Sequence, residues 1–98
     1  MSIKVGLPKQ LDITTKSTAG AITRVIFDKP VYSILVDNLS TTDTLYVSFD
    51  MGETWISLRV SDQPLELEPF ATKGKPIVLL KSDGTSQPAR IVYRTVEG

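Results

Sequence analysis

The sequence predicts an all-β protein, an antiparallel β-sandwich of about seven short strands, jelly-roll or Ig-like, with an extended N-terminal arm. Three observations point there. Val, Ile and Thr make up 28 of the 98 residues and Ala only four, a bias toward side chains that pack on a pleated surface. No stretch sustains an apolar face at helical spacing, so no long helix is expected. Apolar and polar residues instead alternate in short runs, broken by turn-forming clusters roughly every eight to twelve residues.

The elements follow from that pattern. Residues 1–20 are polar and small, with Pro8, Lys9, Lys16 and Ser17-Thr18-Ala19-Gly20. They read as the arm, holding one short strand at most around Leu11 to Thr15, and the sandwich domain spans 21–98. Ile22 to Asp28 is the first strong strand, ended by Lys29-Pro30. Val31 to Asp37 follows, with Tyr32, Ile34 and Val36 on one face. After the polar turn Ser40 to Asp43, Leu45, Val47 and Phe49 alternate with Tyr46, Ser48 and Asp50. Ile56, Leu58 and Val60 then alternate with Trp55, Ser57 and Arg59, and Leu65 and Leu67 alternate with Glu66 and Glu68. Ile77 to Leu80 is apolar on both faces, which predicts a covered central strand. Arg90 to Val96 is the last strand. The expected core is Ile22, Ile26, Tyr32, Ile34, Val36, Leu45, Val47, Phe49, Ile56, Leu58, Leu65, Leu67, Val78, Leu80, Ile91 and Tyr93.

Composition narrows the chemistry. The chain has no cysteine and no histidine. Disulfides, Cys/His zinc sites and His-based triads are therefore excluded. Eleven basic and eleven acidic residues balance, so no whole-molecule field attracts nucleic acid, and no apolar run is long enough to cross a bilayer as a helix. The N-terminal residues lack the apolar segment of a secretory signal. Asp37, Asp43 and Asp50 all lie near strand ends, but acids are common in turns for conformational reasons. No DxDxDG-type run marks a calcium loop. Catalytic residues, cofactors and metals are accordingly expected to be none.

Residues 48–55 form the most specific run: Ser48-Phe49-Asp50-Met51-Gly52-Glu53-Thr54-Trp55. Asp50 can accept from the backbone N–H groups of a turn, Gly52 tolerates positive φ, and Trp55 supplies a large flat surface. The run resembles the Asp box of sialidases and related β-propeller proteins. That resemblance implies a structural turn carried by Ser48, Asp50, Gly52, Thr54 and Trp55, away from any catalytic centre. A single box in 98 residues leaves no room for a propeller. Tyr46 and Trp55 fall on the face opposite Leu45 and Ile56, which makes them candidate contacts for a protein partner or a glycan, or a pair that only stiffens the hairpin. Arg90 and Arg94 share one face of the last strand and suit a polar interface between subunits.

From Val31 to Leu58 the chain resembles small β-sandwich proteins encoded among tailed-bacteriophage virion genes. An apolar strand closes on Asp37-Asn38-Leu39-Ser40, and Leu45-Tyr46-Val47-Ser48-Phe49-Asp50-Met51-Gly52 and Thr54-Trp55 follow. The resemblance implies a capsid decoration (cement) protein or a head or tail accessory protein. Such a subunit is not an enzyme. It would be assembled in the host cytoplasm into the virion, acting as a homo-oligomer or on a symmetric array against the major capsid protein or another virion protein, without nucleic acid or membrane. The alternative is a carbohydrate-binding module with an exposed aromatic platform.

Overall fold

The computed structural model describes residues 4–97, all in strands, turns and loops. Among the described residues nine strands form: β1 (Lys4–Val5), β2 (Lys9–Thr14), β3 (Thr23–Ile26), β4 (Val31–Asn38), β5 (Leu45–Ser48), β6 (Ile56–Leu58), β7 (Leu65–Leu67), β8 (Ile77–Ser82) and β9 (Pro88–Glu97). Every pairing between them is antiparallel. One sheet runs β2-β9-β4-β7, with β1 on the same edge of β9 as β2, and the other runs β3-β8-β5-β6. Strands β2 to β9 are thus shared between two four-stranded layers, crossing between them at every step except the β5–β6 hairpin, in the order of a jelly roll, one of the two architectures the sequence predicts.

The core is the inner face of both layers. Val25, Phe27, Val31, Ile34, Val36, Leu45, Val47, Leu58, Val78, Leu80, Ala89 and Ile91 form one buried cluster, with Leu11, Ile13, Phe49, Leu65, Leu67, Phe70 and Tyr93 packed around it. Each fully buried aliphatic side chain here contributes roughly 1.5–3 kcal/mol through burial. Phe27 meets Tyr93, and Phe49 meets Phe70, edge to face at 4.9 and 5.2 Å between centroids.

Four of the expected core residues, Ile22, Ile26, Tyr32 and Ile56, do not join the core. In the Ile22–Asp28 run the opposite face points inward: Val25 and Phe27 are buried, whereas Ile22 and Ile26 are 44% and 63% exposed. Arg24 shares the parity of Ile22 and Ile26, and a guanidinium without a buried partner keeps its whole face in water. In β4 the register shifts between Val31 and Ser33. Two residues there oppose one on β9, so Val31 joins Ile34 inside and Tyr32 stays half-buried. Ile56 points the same way as its partner Val47, but β6 is an edge strand and Ile56 is only partly covered.

The N-terminal segment is part of the sheet. β2 pairs with β9 from Lys9↔Tyr93 to Thr14↔Pro88, and β1 pairs at Lys4↔Glu97 and Val5↔Val96. Leu11 and Ile13 face the core, so the strand expected around Leu11 to Thr15 starts earlier and is a full edge strand. Arg90 and Arg94 are taken up by this segment: Arg90 Nε lies 3.2 Å from Asp12, and Arg94 Nε donates to the Gly6 carbonyl at 2.9 Å. Residues 1–3 of the expected arm lie outside the described residues.

Candidate functional site

The Asp-box run leaves β5 at Ser48 and enters β6 at Ile56. Ser48 is fully buried at the end of β5. Its hydroxyl donates to Asp50 Oδ1 at 2.8 Å and accepts from the Gly52 N–H at 2.8 Å. Asp50 Oδ1 also accepts from the Thr54 N–H at 2.9 Å. The backbone takes positive φ at both Met51 (61°) and Gly52 (93°), which only glycine adopts without strain at the second of these. The Thr54 N–H, then the Ser48 hydroxyl, hold the Asp50 carboxyl below its ordinary value, because both bonds favour the ionised form.

The loop also folds back over the outer face of the second sheet. A Cβ at Gly52 would stand 3.7 Å from Trp55 Cζ2 and 3.8 Å from Leu79 Cδ1. Leu79, on the outer side of β8, is consequently buried. This explains why Ile77 to Leu80 is apolar on both faces: the core covers one side and the Asp-box loop covers part of the other.

That outer face carries two open depressions with no lining residue in common. On one side Ile22, Met51 and Leu79, with Lys16 and Arg24, line an open depression. Ile26 continues the apolar zone, paired across the strands with Ile77. On the other side Tyr46 stands between Ser57 on β6 and Lys81 on β8. The Lys81 ammonium lies 4.2 Å from the Trp55 ring centroid and 5.8 Å from that of Tyr46. The Tyr46 hydroxyl reaches Asp83 at 3.5 Å. That carboxylate pushes the phenol above its ordinary value, with burial as a lesser cause. Tyr46 and Trp55 are thus brought together, but through Lys81 rather than by ring-to-ring contact.

The candidate acids are not brought together. Asp37 and Asp43 lie at the end of the sandwich where β4 leads into β5, and Asp50 lies past the far end of β5. Among the described residues no group of three acids is placed to hold a metal ion.

A polar cluster that sequence reasoning missed closes the Asp43 end. Asn38 Nδ2 donates to the carbonyls of Asp43 and Leu58 at 2.9 and 2.8 Å. Its Oδ1 accepts from the Ser40 N–H at 2.9 Å and from Gln87 Nε2 at 2.6 Å. Gln87, 1% exposed, accepts from the Ser82 hydroxyl, and its N–H donates to Thr15 Oγ1 at 2.8 Å. The cluster ties β4, β9 and the end of β2 to β6 and β8, and so bolts one layer to the other. No family model, curated protein or solved structure matches this chain.

Proposed function

We propose that this chain is a structural subunit of a bacteriophage virion, a capsid decoration or head or tail accessory protein. It works by protein–protein contacts on a symmetric array, and it performs no chemistry. The observation that carries the reading is the apolar zone on the outer face of the second sheet. Ile22, Ile26 and Met51 are 44%, 63% and 57% exposed there, Ile26 on β3, Ile22 just before it and Met51 in the Asp-box turn. Exposed apolar side chains gathered on one face in this way mark contact surfaces. Lys16 and Arg24 line the same depression, Arg24 between the two isoleucines of its face, which suits a partner that sets acidic groups among apolar ones.

Two further considerations support the reading. The resemblance between Val31 and Leu58 is to virion proteins, and jelly rolls recur in viral capsid domains, an argument by analogy of fold. Repetition on a lattice multiplies weak contacts, so a modest patch per subunit suffices. Quantitative mass spectrometry of purified particles tests the proposal. Copy numbers in a fixed ratio to the shell protein are expected; particles lacking the chain, with abundant soluble protein alongside, would overturn it.

A further inference from the structure

The other zone of the same face has the makings of a ligand site. Tyr46, Trp55, Ser57, Lys81 and Asp83 line an open depression of about 400 Å³, of the size of small-ligand sites. Its central group is the Lys81 ammonium, held over the Trp55 ring and near that of Tyr46. Ring faces attract a cation through their quadrupoles and leave its hydrogen-bond donors unspent. Among the described residues the ion pairs are Lys29–Glu97, Arg59–Asp62 and Arg90–Asp12, so Lys81 is in none of them. The depression therefore presents a fixed cation with donors to offer.

Asp83 supplies the complementary need. Its bond from Tyr46 is long, at 3.5 Å, and a better-placed hydroxyl can replace it. A simple inorganic anion would meet Lys81 but bring Asp83 few donors. A neutral sugar would satisfy Asp83 but offer the ammonium only uncharged hydroxyl acceptors, weaker than a carboxylate. A molecule with both a carboxylate and neighbouring hydroxyls answers both, and the apolar C–H face of a sugar ring suits the aromatic wall.

We propose that this depression binds an acidic saccharide, a pyranose bearing a carboxylate. The carboxylate lies against Lys81, the hydroxyls donate to Asp83, and the ring packs beside Trp55 and Tyr46. The site is distinct from the apolar contact zone, because the two depressions share no lining residue.

Trp55 is the only tryptophan, so its fluorescence reports on this depression directly. The full chain is titrated with oligosaccharides ending in glucuronate or in a sialic acid, with their neutral counterparts, and with acetate and phosphate alone. A saturable change is expected with the acidic sugars only. Lys81→Ala should weaken it about fivefold, as loss of an exposed ion pair implies, and Lys81→Arg should restore most of it. Asp83→Asn, which keeps the shape and removes the charge, should relax the preference for hydroxyl-rich ligands over acetate. A flat titration of the folded wild-type chain overturns the proposal, as does an equal response to neutral sugars or to acetate. Absence of the chain from particles would leave this result standing, and a flat titration would leave the virion reading standing.

Discussion

The two ends of the sandwich are closed by polar side chains in opposite ways. At the Asp-box end the device is local: Ser48, Asp50, Gly52 and Thr54 bond within a seven-residue stretch, and the result fixes one loop. At the other end Thr15, Asn38 and the Ser82–Gln87 pair come from three distant parts of the chain, and the result joins both layers. In the local device Ser48 is buried but Asp50 and Thr54 are exposed, and there a lost bond is partly replaced by solvent. The dispersed one is buried at Thr15, Ser82 and Gln87 and half-buried at Asn38, where a lost partner leaves an unsatisfied group at greater cost. The same bond types should therefore matter more at the cluster than in the box.

The sharpest way to break that comparison is Asn38→Asp. The change is nearly isosteric but replaces the amide that donates to the Asp43 and Leu58 carbonyls with an acceptor. Two carbonyls lose their donor and face a carboxylate, which should cost about 2–4 kcal/mol. Urea unfolding measures it as a lower midpoint at unchanged slope. A loss below about 0.5 kcal/mol, the level of an ordinary surface change, would show that the cluster does not hold the layers together.

Gly52→Val tests the local end and should cost about 1–3 kcal/mol. The cause is backbone strain rather than crowding: φ is 93°, while a Cβ would meet Trp55 and Leu79 only at ordinary contact distance. Gly52→Ala should therefore share most of the loss, and thermal melts of the two variants should lie close together. An unshifted melting curve for both would refute the turn geometry.

What the sequence revealed follows the same division. The box was readable because its partners lie within a few residues of one another, so residue type and spacing carry the geometry. The Asn38–Gln87 cluster has no such signature: its bonds span 49 and 72 positions, and only the topology brings them together. The sandwich itself was legible from alternation, yet alternation alone misassigned β3. Ile22-Thr23-Arg24-Val25-Ile26-Phe27 carries apolar residues on both faces. The decisive residue was Arg24, whose charge outweighs the two isoleucines beside it. Likewise, Tyr46 and Trp55 were readable as a pair, but Lys81 between them was not, because it arrives from β8, 35 residues after Tyr46.

Acid sharpens the comparison further. Asp50 is held below its ordinary value, so the folded state binds its proton less readily than the unfolded chain. Its contribution is fully present above the unfolded value, roughly 4, and is lost as the pH falls through the lower folded value. The Asn38–Gln87 cluster contains no titrating side chain and keeps its bonds throughout. Asp50→Asn should flatten the acid limb of a stability–pH curve. It should not abolish it, because Glu97 is also held low, first by the Thr95 hydroxyl and then by Lys29, and contributes with the same sign. An acid limb unchanged by Asp50→Asn would show that the Thr54 and Ser48 bonds do not favour the ionised carboxylate.

The smallest effect on stability is expected where the proposed function is most exposed. Ile26 is largely open to solvent, and its one cross-strand neighbour on that face is Ile77. Ile26→Lys keeps an aliphatic stem over Ile77 and puts a charge where a partner would dock. Its cost to the isolated chain should stay below about 1 kcal/mol, the scale of one cross-strand pair. Docking against an apolar surface, by contrast, would bury that charge without a partner, a far larger penalty. A folded Ile26→Lys protein that fails to enter particles would place the contact on the outer face of the second sheet. Normal incorporation would move the search to the other layer, and the apolar zone would then need a different explanation from the one proposed.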